Sequence, residues 1–240
     1  MEETPEYGAL DAVEFAENPE PRCAVVLLLD TSGSMQGRRI AELNQGLRVL
    51  DAALKADPLA ALRVELAVIA FGGHARALDV RTPGGGEIAA DADTAFVTLD
   101  AFHPPELHAS GETPLGDAVR QGLALVRGRK ALYRANGIDY FRPWMFLITD
   151  GHPTDRDWES AAADVQAEEG RRGVSFYAVG VEGADLQKLA RFSAERAPLK
   201  LKGLAFGDLF QWLSQSLAAV SQSRPGDQTP LPPVGWGTAG

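Results

Sequence analysis

Residues 24–34 read Ala24-Val25-Val26-Leu27-Leu28-Leu29-Asp30-Thr31-Ser32-Gly33-Ser34, a continuous apolar run that breaks into an acid and two serines. A run of this kind suits a strand buried on both faces, as in a parallel sheet covered by helices. Asp30, Ser32 and Ser34 stand at alternate positions, so their oxygens can point the same way, and Gly33 permits the tight turn between them.

The pattern recurs. Trp144 to Thr149 is a second apolar strand, and it too ends in an acid, Asp150. Between these strands, Ile40, Leu43, Leu47, Leu50 and Leu54 follow steps of three and four, which marks an amphipathic helix. Leu62 to Phe71 reads as a strand, and Gly72-Gly73 turns it into a shorter strand, Arg76 to Val80, so this edge is antiparallel. Thr82 to Ser110 reads as a long surface loop with room for one short strand, after which Thr113-Pro114 opens a helix to about Arg134. Further on come a helix from Asp157 to Arg171, a strand from Ser175 to Val181 and a short helix from Asp185 to Phe192. A short strand from Leu199 to Lys202 and a helix from Phe206 to Ser221 complete the pattern. Alternating strands and helices predict an α/β domain with a mostly parallel central sheet, one antiparallel edge strand and helices on both faces. Ligands in such sheets bind beyond the carboxyl ends of the strands, which selects Asp30 and Asp150.

This domain should occupy residues 22–223. Residues 1–21 are acidic and proline-bearing and read as an extended lead-in. Residues 224–240, rich in Pro and Gly, read as a tail outside the core. Apolar residues make up 45% of the 240, enough for a sizeable core. A net charge of −10 argues against a nucleic-acid surface. Cys23 is the single cysteine, so no disulfide framework or zinc ribbon can form. Neither a signal peptide nor a membrane span is visible, and a cytoplasmic protein is the expectation.

Asp30, Ser32 and Ser34, with Thr113 and Asp150, make a set of two carboxylates and three hydroxyls without His or Cys. Hard oxygen ligands favour Mg²⁺, with Mn²⁺ or Ca²⁺ admissible. Neutral hydroxyls leave the ion electrophilic enough to attract a carboxylate from outside.

The stretches Leu29-Asp30-Thr31-Ser32-Gly33-Ser34-Met35, Thr113-Pro114-Leu115-Gly116 and Thr149-Asp150-Gly151 resemble the metal-ion-dependent adhesion site of von Willebrand factor A domains. With Leu43-Asn44-Gln45-Gly46-Leu47 and Tyr177-Ala178-Val179-Gly180, the chain looks most like the bacterial TerY-like branch, associated with tellurite resistance and stress. The resemblance implies a three-layer Rossmann-like fold and a metal-bridged protein-binding module rather than an enzyme. A partner's acidic side chain would complete the ion's coordination, the partner being for instance a protein kinase or a PP2C-type phosphatase. Some TerY-like proteins carry a C-terminal zinc-binding extension, which one cysteine cannot provide.

An alternative reading is a haloacid-dehalogenase-type phosphatase with Asp30 as nucleophile. That chemistry wants a second Asp two residues later, where Ser32 stands. Phosphate-binding GxxxxGK[ST] and GxGxxG patterns are missing. His152, next to the metal rim, and Trp236, in the proline-stiffened tail, are candidates for partner contact. Thr154, Asp155 and Asp157 read as caps of the helix that follows them.

Overall fold

The computed structural model describes residues 18–150 and 152–239. The helices are α1 (Arg38–Lys55), α2 (Pro58–Arg63), α3 (Ala92–Ala95), α4 (Leu115–Ala135), α5 (Trp158–Gly170), α6 (Leu186–Leu189) and α7 (Phe206–Ser221). The strands are β1 (Cys23–Asp30), β2 (Val64–Gly72), β3 (His74–Leu78), β4 (Glu87–Ile88), β5 (Val97–Thr98), β6 (Trp144–Thr149), β7 (Ser175–Gly180), β8 (Leu199–Leu201) and β9 (Gly237–Ala239).

They form one sheet in the order β4-β3-β2-β1-β6-β7-β8-β9, with β5 pairing β2. β2, β1, β6, β7 and β8 are parallel to their neighbours in this series, and β1 lies at the centre between β2 and β6. The two-residue pleat sorts its side chains: Val25, Leu27 and Leu29 join the core beneath α1 and α7, whereas Ala24, Val26 and Leu28 join the core beneath α4 and α5. Apolar packing on both faces explains the unbroken apolar run. On the first face α1 packs directly on α7. A Cβ on Gly46 would lie 2.4 Å from Phe210 Cδ2, so only glycine allows this approach.

The antiparallel edge expected after Gly72-Gly73 is present as the β2–β3 hairpin. Three expectations change. The segment from Thr82 to Ser110 holds more than a surface loop with one short strand: it contains β4, α3 and β5, and it buries Phe96, Leu99, Phe102 and Leu107. The buried Asn44 amide clamps it, donating to Leu107 O and accepting the Leu107 N–H, both at 2.9 Å. Ahead of β1, Asn18 donates to Leu62 O, Glu20 pairs with Arg63 at 2.6 Å, and fully buried Arg22 pairs with Glu65 at 3.0 Å. The end of the lead-in is therefore tied to the domain, while the rest of that segment lies outside the described residues.

The third change concerns the tail. β9 pairs antiparallel with β8, and Trp236 is 3% exposed in the core. Its ring meets that of Trp212 edge-on at 5.6 Å, and the Trp212 indole N–H donates to Pro232 O at 2.8 Å. The exposed edge of β8 offers unpaired backbone groups, and the tail satisfies them while burying an indole. A tail excluded from the core is thus corrected, and Trp236 is occupied within its own fold rather than presented to a partner.

Candidate metal centre

β1 and β6 are neighbours in register, so Asp30 and Thr149-Asp150 leave the sheet side by side. Asp30 is fully buried, and each carboxylate oxygen is held: the Ser32 N–H donates to Oδ1 at 2.8 Å, and the Thr149 hydroxyl donates to Oδ2 at 2.6 Å. Burial pushes the Asp30 carboxyl above its ordinary value, hydrogen bonds from Ser32 and Thr149 oppose this, and the Asp150 charge adds to the rise. Asp150 is 3% exposed, and among the described residues its Oδ1 receives a long contact, 3.4 Å, from the His152 N–H.

The turn after β1 is a short 3₁₀ turn, Gly33–Met35, and the Ser32 and Ser34 hydroxyls share a hydrogen bond of 3.0 Å. Ser32 is buried while Ser34 is exposed, so the pair spans the boundary between core and solvent. The loop carrying Thr113 is stitched onto this turn: Ser110 N–H donates to Thr31 O at 2.7 Å and Gly33 N–H to Gly111 O at 2.9 Å. Gly111 adopts φ 74°, and a Cβ there would fall 2.6 Å from Gly73 N, so the close passage of these loops requires glycine.

Thr113 is 5% exposed and is anchored from the β6 side: its N–H donates to Thr154 Oγ1 at 3.1 Å, and Thr154 N–H donates back to Thr113 O at 2.9 Å. Asp155 Oδ2 accepts the Asp117 N–H at 3.2 Å and thereby caps α4, not the helix that follows it. Asp157 precedes α5 but makes no side-chain cap; Arg120 holds it at 2.7 Å. The expected capping of α5 by Thr154, Asp155 and Asp157 is therefore corrected. These residues join the β6 exit to the start of α4, a tie across forty positions that local sequence patterns do not reveal.

Asp30, Ser32, Ser34, Thr113 and Asp150 thus lie on adjoining loops at one end of the sheet. His152 lies on the exposed rim, its Nε2 3.2 Å from Gly183 O. Gly151 lies outside the described residues.

The model of the von Willebrand factor type A domain matches residues 24–206. The chain belongs to this family. Domains of the family commonly form metal-dependent interaction modules. The chain is similar to inter-alpha-trypsin inhibitor heavy chain H4 of Sus scrofa, 29% identical over 132 residues, which cover 54% of this chain and 12% of that protein. Among solved structures it resembles a von Willebrand factor type A protein from Catenulispora acidiphila, with TM-score 0.56 and 19% identity over 83% of this chain and 43% of that one. It also resembles the pilus adhesin SpaC of Lactobacillus rhamnosus GG, with TM-score 0.59 and 16% identity over 85% of this chain and 31% of that one. The chain spans less than half the length of each, and at such identities the structural likeness concerns the fold.

In this von Willebrand A domain the donor set suits a hard divalent cation. Two buried carboxylates lie at one end of the sheet; burial chiefly raises Asp30 and the Asp150 charge adds to the rise, and a bound cation would favour the charged form of both. The paired serine hydroxyls offer neutral oxygens on the solvent side. Asp30 is poorly placed as a phosphatase nucleophile, because both of its oxygens are engaged and none of its surface is exposed. Among the described residues, no helix is long and apolar enough to cross a membrane.

Proposed function

We propose that this domain is a metal-dependent protein-recognition module. Asp30, Ser32, Ser34, Thr113 and Asp150 would hold Mg²⁺, and an acidic side chain of a partner protein would complete the coordination. The observation that carries this reading is the contrast between two buried carboxylates and an exposed serine beside them. The carboxylates balance one divalent ion, while Ser34 leaves the ion's outer side to ligands from solvent. Bound there, the ion would supply Lewis acidity toward a partner's carboxylate.

On the TerY-like resemblance of its motifs we further propose that the module works in the bacterial cytoplasm, as an adaptor in a stress or tellurite-resistance assembly with a protein kinase or PP2C-type phosphatase as partner. Affinity capture with and without EDTA tests the reading, comparing wild type with Ser32→Ala/Ser34→Ala. A partner released by both treatments supports the metal bridge. A partner retained equally in all samples rejects it.

A further inference from the structure

A cleft of about 700 Å³ opens at the opposite end of the sheet, where β6 and β7 begin. Trp144 and Tyr177 line it with rings 4.7 Å apart, and the C-terminal segment walls it through Thr229 and Leu231. A second cavity of about 250 Å³, lined by Trp212, Pro232 and Val234, adjoins it and shares Tyr177 and Leu231.

Three arginines line the larger cleft: Arg142, Arg172 and Arg196. Two are engaged. Arg142 donates to Val174 O at 2.6 Å and Glu169 O at 3.0 Å, and Arg196 donates to Glu169 Oε1 at 2.9 Å while lying 4.8 Å over the Tyr177 ring. Glu195 is shared between these two, at 3.3 and 3.2 Å. Asp227, the other acid on the wall, accepts the Arg224 N–H at 3.0 Å. Arg172 differs. It is exposed, and among the described residues its side chain has no hydrogen bond or ion pair. Its backbone sits at φ 57°, just past the end of α5, where glycine is the relaxed choice. A non-glycine residue is strained there, and among the described residues no side-chain hydrogen bond or ion pair of Arg172 offsets the strain.

We propose that this cleft binds a small amphipathic anion, a planar apolar group bearing a sulfonate, carboxylate or phosphate. The anion would meet the unpaired Arg172 guanidinium, whose planar fork of donors suits oxyanions. The planar group would lie against the half-buried Tyr140, Val220 and Leu231 on the cleft wall. The volume falls within the range of about 300–1,000 Å³ usual for small-molecule sites.

Anilinonaphthalene sulfonate, titrated by fluorescence against the folded full chain, tests this, with neutral phenylnaphthylamine and inorganic phosphate as the other arms. The sulfonate should bind saturably, and each of the other two at least about tenfold more weakly, since each offers half of the chemistry. Arg172→Gly should weaken the sulfonate about tenfold while raising Tm, because it relieves the positive φ. Arg172→Lys should restore part of the affinity. Ser32→Ala/Ser34→Ala should leave sulfonate binding unchanged, which separates this cleft from the metal centre. Equal sulfonate affinity in wild type and Arg172→Gly would overturn the proposal, as would neutral and anionic probes binding alike.

Discussion

Asp155 Oδ2 fills the space beside Gly116: a Cβ on that glycine would lie 2.4 Å from the carboxylate oxygen and 2.9 Å from Trp158 Cα. The start of α4 therefore fits the loop after β6 only while residue 116 has no side chain. Gly116→Ala should destabilise the domain by about 2 kcal/mol through overpacking, despite alanine's better helix propensity. Asp155→Ala should cost about 1 kcal/mol as a lost cap. Chemical denaturation of both variants and the double variant checks this. The double variant should be more stable than the sum of the single effects implies, because part of the clash leaves with the carboxylate.

Asp150 and Asp30 lead to a prediction whose sign depends on the metal. Without divalent ions, Asp150→Asn removes one of two buried carboxylates that repel each other and should leave Tm unchanged or higher. With Mg²⁺ at one hundred times its dissociation constant, the wild type gains about 2.7 kcal/mol, and the variant should gain little of it. Differential scanning calorimetry in EDTA and in excess Mg²⁺ measures both. A variant that responds to Mg²⁺ as the wild type does would remove Asp150 from the proposed centre.

Much of this arrangement is legible in the sequence. Strands that end in Asp30 and Asp150 announce their burial by continuous apolar runs, and the parallel fold brings their ends together. Less visible are ties that join distant segments. Nothing local marks Asp155 as the cap of a helix that starts forty residues earlier, or Asn44 as the clamp on Leu107. The tail is the clearest case. Gly237-Thr238-Ala239 has no strand-like alternation, and it becomes a strand because β8 presents an open edge. Trp236 signals this in retrospect, since an indole is costly to leave in water.

That tail should be integral to stability. Trp236→Ala removes a ring that is 3% exposed and packed on Trp212, and should cost about 3–5 kcal/mol. Deleting residues 224–240 should lower Tm further and uncover the edge of β8, raising the tendency to aggregate. Thermal melts followed by light scattering distinguish these outcomes from a dispensable tail, for which both variants would melt like the wild type.

Acid stability rests in part on a carboxylate remote from the metal centre. Glu168, 3% exposed, accepts hydrogen bonds from Arg127, Lys130 and Arg171, each at 2.9 Å. Burial alone would raise its carboxyl, but these three cations outweigh it and hold the group down at about 2. Because the folded value lies below the unfolded one, the carboxylate's stabilisation is fully present above the ordinary range near 4.5. It is lost as pH falls from that range through about 2. Glu168→Gln should therefore destabilise the domain by about 2 kcal/mol at neutral pH. The gap between variant and wild type should narrow steadily on acidification through this window. Urea unfolding at a series of pH values follows the gap directly, and a gap independent of pH would mean that Glu168 acts through packing rather than charge.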